Sequence, residues 1–144
     1  MKPFIFFAII SLFVTCHPLR HQSTPDLPSW IKGQFIDDYG ISYSVSDTLF
    51  TQHPSALYHI IEWNNAEQYL LVKNDAGNPT EKGLYSRIDY MKFMGMEPFT
   101  WGFCLTVYNA PDIASAKKAS PAKRTEPKTG CNGFPFSRMK KVSL

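Results

Sequence analysis

Histidine, cysteine and glycine are too sparse in this chain, and too poorly spaced, to build most kinds of active site. No pair among His17, His21, His53 and His59 has metal-ligand spacing with supporting carboxylates, and Cys16, Cys104 and Cys131 form no Cys-x-x-Cys. A zinc centre has nothing to start from, so neither a metal nor a cofactor is expected. No Gly-x-Ser-x-Gly elbow presents a nucleophile. Beyond Val14 no apolar run approaches the ~20 residues that a membrane-crossing helix needs. Together these absences argue for a non-enzymatic protein.

What is present comes first at the N-terminus. Lys2 is followed by the apolar run Pro3 to Val14, then Thr15 and Cys16. A run of about a dozen apolar residues matches a signal-peptide core and is too short to span a bilayer. Leu12-Phe13-Val14-Thr15-Cys16 resembles, in degenerate form, the lipobox of bacterial lipoproteins, in which the cysteine becomes lipid-modified and N-terminal after cleavage. That resemblance implies residues 1–15 as a signal peptide, Cys16 as a lipidation site, the membrane as a partner through that anchor, and an exported location: outer membrane, periplasm or cell surface. The plainer alternative is an ordinary signal peptide cleaved near Thr15. With Cys16 acylated, Cys104 and Cys131 remain as an even pair in an oxidising compartment, where a disulfide between them would persist.

Residues 16–29 are polar and carry Pro18, Pro25 and Pro28, which suits an extended tether of up to ~3 Å per residue. Residues 30–144 are then expected as a single domain, long enough to bury roughly two-thirds of its unfolded surface. Aromatic residues make up 15% of the chain, a content that favours pleated sheet.

Charge is divided unevenly along the domain. From Ser29 to Ala116 five Lys/Arg face ten Asp/Glu, a balance of −5; from Lys117 to Lys141 eight basic residues face Glu126 alone, a balance of +7. The basic quarter, with Lys117, Lys118, Lys123 and Arg124, is a candidate surface for polyanions or partner proteins, nucleic acid not being expected. The bland alternative is a solvated face that neutralises the acidic body.

Short strand-like runs recur between turn signals: Gln34–Asp37, Ile41–Val45, Leu49–Gln52, Leu57–Trp63, Gln68–Lys73, Tyr85–Phe93, Phe99–Tyr108 and a final edge strand within Cys131–Met139. In the sixth, Tyr85, Arg87, Asp89, Met91 and Phe93 share one face, while Ser86, Ile88, Tyr90 and Lys92 share the other. In the seventh, Trp101, Phe103, Leu105 and Val107 are expected in the core and Cys104 on the opposite face. Ala110–Ala119, with Pro111 and Asp112 at its start and lysines at its end, predicts one short helix near residues 111–119. Asn74–Asn78 has the look of a calcium loop but lacks the downstream bidentate Glu, so a turn is expected. About seven or eight strands in consecutive antiparallel order predict a mainly β domain, an up-and-down barrel or sandwich. An eight-stranded barrel has an interior just wide enough for one small ligand.

Trp30-Ile-Lys-Gly33-Gln-Phe35 resembles the opening strand of lipocalins, with Phe35 where that family has tryptophan and Arg138 as a counterpart of its last-strand basic residue. This resemblance implies a ligand-binding barrel. Trp30 to Gly40, Lys73 to Asn78, Tyr85 to Asp89, Trp101 to Cys104 and Gly130 to Phe134 also resemble a group of small exported bacterial proteins, which implies no activity. The favoured expectation is a binding module for a small apolar ligand, lined by Trp30, Tyr43, Trp63, Tyr85, Trp101 and Phe103. Arg87 and Asp89 would serve as a polar pair if their face is interior, and Asp37 and Asp38 are further polar residues to watch. The other expectation is an adhesion or interaction module that uses the basic C-terminal face.

Overall fold

The computed structural model describes residues 26–142. Eight strands, β1 (Gly33–Asp37), β2 (Ser42–Val45), β3 (Leu49–Gln52), β4 (Ala56–Asn64), β5 (Tyr69–Asn74), β6 (Tyr85–Lys92), β7 (Phe99–Ala110) and β8 (Ser137–Lys141), close in sequence order into an antiparallel barrel. Closure comes from β8, which pairs with β7 on one side and with β1 on the other, Ile36 opposite Lys140 and Asp37 opposite Met139. This corrects the expectation of an edge strand: β8 begins after Pro135, so that proline removes no ladder hydrogen bond, and no edge remains exposed.

The interior is an aromatic cluster. Phe35 meets Trp101 edge-on at 5.2 Å between ring centroids, Phe50 meets Phe103 at 5.2 Å, and Tyr43 meets Phe103 at 5.4 Å. Such edge-to-face pairs add ~0.5–1.5 kcal/mol each beyond area burial. One end of the barrel is plugged by a 3-10 turn, Ser29–Ile31, with Leu27 and Ile31 buried and Trp30 edge-on to Tyr90. The folded unit thus takes in Leu27, three residues before the expected start. The other end, where the β1–β2 and β3–β4 turns lie, forms the mouth.

Among the described residues the ladder slips in register at four places, and two of these slips decide which side chains face inward. Between Ile60 and Glu62 the pairing with β5 slips by one, which turns Ile61 out to solvent. Between Leu105 and Val107 the register with β6 slips again, with Thr106 as the extra residue. Leu105 therefore packs against the barrel core, whereas Val107, expected beside it, packs outside with Tyr69, Leu71 and Ala110.

The helix α1 (Ile113–Lys118) lies on that outer surface, capped by Asp112, whose carboxylate accepts the Ser115 N–H at 2.7 Å. A long strap from Ala119 to Phe136 follows and is clasped to β7 by the Cys104–Cys131 disulfide. Cys104 faces away from the barrel interior, as its alternation predicts, and packs with Phe93, Ala122 and Phe136.

Candidate functional site

Cys16 and residues 1–25 lie outside the described residues, so lipidation, signal peptide and most of the tether have no structural counterpart. The interior of the barrel holds Tyr43, Trp101 and Phe103 among the proposed lining residues, all at or below 4% exposed and in contact with other rings. Trp30 and Trp63 are partly buried at the margin of that core, and Tyr85 packs outside it in the cluster beneath α1.

Arg87 and Asp89 share a face, but that face turns away from the interior. They are buried nonetheless, because α1 and the strap cover them. Arg87 donates through Nε to Asp89 Oδ2 and through Nη2 to Asp89 Oδ1, each at 3.1 Å, and stacks 4.2 Å above the Tyr69 ring. Its remaining nitrogen donates to the Lys117 and Ala119 carbonyls and so secures the C-terminus of α1. Arg124 completes the clamp, donating to Asp89 Oδ1 at 3.0 Å and to the Tyr90, Glu67 and Gln68 carbonyls. Of the four basic residues proposed for polyanions, Arg124 is thus held by the barrel and Lys117 pairs with Glu62. Lys118 and Lys123 are left exposed. Their neighbourhood is weaker as an anion-binding face than charge counting alone suggests.

The mouth holds a hollow of about 310 Å³ that the sequence reading located only in part. Its apolar side is Ile41, Tyr43, Phe103 and Leu105, its polar side is Asp37 and Gln52, and it extends over the rim to Tyr39, Ser137 and the Cys104–Cys131 disulfide. Asp37 shapes it: Oδ1 accepts the Tyr39 and Ile41 N–H groups at 2.9 and 2.8 Å and closes the β1–β2 turn, whose Gly40 takes φ +84°. Oδ2 accepts the Tyr43 hydroxyl at 3.1 Å. Burial, reinforced by the Asp37 charge, pushes the Tyr43 phenol well above its ordinary range, so it stays a neutral hydrogen-bond donor. Burial raises Tyr58 in the same direction.

A second hollow, of about 420 Å³, lies outside the barrel wall along β8, between the strap and the β1–β2 and β6–β7 turns. Phe93, Met96 and Phe136 give it an apolar floor, with Arg138, Lys128, Asp38 and Tyr39 around them. Arg138 does not lie against Phe35, the position the lipocalin resemblance gives to the tryptophan: Phe35 is in the core, while Arg138 stands on the outer face of β8. It donates to Asp38 Oδ2 at 2.9 Å and lies 4.9 Å from the Phe99 ring. The clustering of Phe134-Pro135-Phe136 after Cys131 was the one signal in the sequence for this trough.

Among the described residues no group of three or more His, Cys, Asp or Glu is placed to hold a metal ion. Asp75 folds into a turn, accepting the Gly77 N–H at 2.7 Å and facing His59 Nε2 at 2.6 Å. No protein-family model matches the chain, and neither a curated protein nor a solved structure shows significant similarity to it.

Proposed function

We propose that this chain is an exported, lipid-anchored, non-enzymatic binding module whose barrel mouth takes a small, mainly apolar ligand bearing a hydrogen-bonding group. The observation that carries the reading is the 310 Å³ mouth hollow, in which inward-facing Tyr43, Phe103 and Leu105 meet the converging polar groups of Asp37 and Gln52. Binding sites in barrels favour the mouth, and ligand cavities run from ~300 Å³ upward with few, well-placed polar groups. Tyr43 and Phe103 belong to the lining expected from the sequence; Trp101 lies deeper, as packed core. Polyanion docking through the C-terminal face is the weaker reading, because two of its four cations are already paired.

The test is fluorescence titration with N-phenyl-1-naphthylamine, a neutral apolar probe. Wild type should enhance its emission saturably, and Leu105→Trp, which fills the hollow, should abolish the effect. Gln52→Trp, at the partly exposed rim, provides a second filling variant should the first disturb folding. Met94→Trp, on a residue 84% exposed, should change nothing. Probe binding that survives both filling variants would remove the mouth as the site. Mass spectrometry of the mature N-terminus tests the anchor separately: a diacylated Cys16 is expected, and an unmodified N-terminus at another residue would exclude it.

A further inference from the structure

We propose that the trough along β8 is a second binding site, for a single-chain amphipathic anion of the fatty-acid type. The inference does not rest on the reading of the mouth. The trough is lined by residues of turns at opposite ends of the barrel, Asp38 and Tyr39 from one and Phe93 and Met96 from the other, and Phe93, Met96 and Phe136 give it an apolar floor. Phe93 and Phe136 are themselves buried, so the floor is packed and preformed. A volume of about 420 Å³ sits near the lower end of ligand cavities, which suits one hydrocarbon chain and not two.

Charge selects the head group. Arg138 and Lys140 project from the same outer face of β8, since Met139 between them points inward to the core. Lys128, from the strap, and Arg138 are the two cations that line the trough itself. Asp38 is the only carboxylate among the lining residues; it is 13% exposed and holds Arg138 through both its main-chain N–H and its guanidinium. The Arg138 side chain is still 43% exposed, which leaves guanidinium surface available to a carboxylate. Tyr39, 72% exposed, adds an aromatic wall to the trough. A neutral chain would satisfy the floor but not the cations, and an inorganic anion would satisfy the cations but not the floor.

The experiment is calorimetric titration of the full chain with decanoate and, separately, with 1-decanol. Decanoate should bind, and Lys128→Gln, at an exposed position with no part in the fold, should raise its dissociation constant about tenfold, as expected for loss of a charge-assisted contact. Arg138→Gln should weaken it at least as much. Asp38→Asn should act in the opposite direction and tighten binding, because it removes the negative charge beside the head group. Decanol affinity should be unchanged in all three, and Leu105→Trp at the mouth should leave decanoate binding intact. Decanoate that fails to bind, or that binds with the same affinity in Lys128→Gln and Asp38→Asn, overturns the proposal. So does sedimentation showing dimers that decanoate does not dissociate, since the trough would then be a self-association face.

Discussion

Asp89 stands on β6 and Arg124 in the disulfide-clasped strap, 35 residues further on, and the Asp89 carboxylate accepts from Arg124 Nη2 at 3.0 Å while none of Asp89 is exposed. The same carboxylate takes two donations from Arg87 and one from Thr106 at 2.8 Å. One anion therefore holds α1, through Arg87, and the strap, through Arg124, against the outside of β6 and β7. Removing one partner of such a group leaves the others buried and uncompensated, at about 3–5 kcal/mol. Asp89→Ala should cost that much in urea unfolding, and Arg124→Ala less, since Arg124 is a quarter exposed. The double variant should be markedly less destabilised than the sum of the two. Additive losses would show that the clamp is not a unit.

The disulfide makes a separate contribution to holding the strap. Cys104 and Cys131 are 27 residues apart, and closing a loop of that length stabilises by about 3–4 kcal/mol in the chain-entropy account. The Cys104→Ala, Cys131→Ala double variant should lose that amount relative to the oxidised protein. Its far-UV circular dichroism should stay β-type, because the eight-strand ladder does not pass through either sulfur.

The barrel was legible because local patterning and global fold agree. Gly40 after Asp37-Asp38-Tyr39, the alternation in β6 and the aromatic run of β7 each point to antiparallel strands with tight turns. Which face of β6 is interior was not legible. Alternation sorts Arg87 and Asp89 together but cannot say that a helix and strap will cover an outward face and bury it. Nor does a period of two foresee a bulge, and the one at Thr106 sends Val107 to the wrong side for a simple count. The trough was the least readable feature, since Tyr39, Phe93, Met96, Lys128, Phe136 and Arg138 come from separate turns, the strap and a strand that only closure of the barrel brings together.

Two glycines mark where backbones pass too closely for any side chain. A Cβ on Gly130 would sit 2.0 Å from the Lys123 carbonyl oxygen and 2.7 Å from that of Glu126, and neither can rotate away. On Gly102 it would meet Phe93 Cζ at 2.6 Å and the Ser137 carbonyl oxygen at 2.9 Å. Overpacking of this kind costs about 1–3 kcal/mol and sometimes more. Gly130→Ala should lie at or above the top of that range and Gly102→Ala within it. Gly77→Ala, whose Cβ would approach only an Asp75 side-chain oxygen at 3.1 Å, should be close to neutral. Differential scanning calorimetry would rank the three, and a Gly130→Ala melting point equal to that of wild type would show that the strap is not packed as described.

Alkaline pH should unfold this protein through its buried phenols. Burial pushes Tyr90 up to about 12 and Tyr43 higher still, with Tyr58 raised as well, whereas in the unfolded chain each releases its proton near pH 10. Below pH 10 both states are protonated and the contribution of these groups is fully present. Above it the unfolded chain binds fewer protons than the folded one, so stability falls as pH rises toward the folded-state values. Each fully buried phenol can contribute a slope of up to about 1.4 kcal/mol per pH unit in the window from 10 to about 12. Urea unfolding at pH 9, 10 and 11 should therefore show a steepening loss, made shallower by Tyr90→Phe, which keeps the ring against Trp30 but loses the hydroxyl that donates to Asn65 Oδ1 at 3.2 Å. Tyr43→Phe should flatten the curve as well, at the cost of the hydrogen bond to Asp37. A pH dependence identical in wild type and both variants would mean that the phenols ionise in the folded state, and that the mouth and the plugged end admit water more freely than their packing implies.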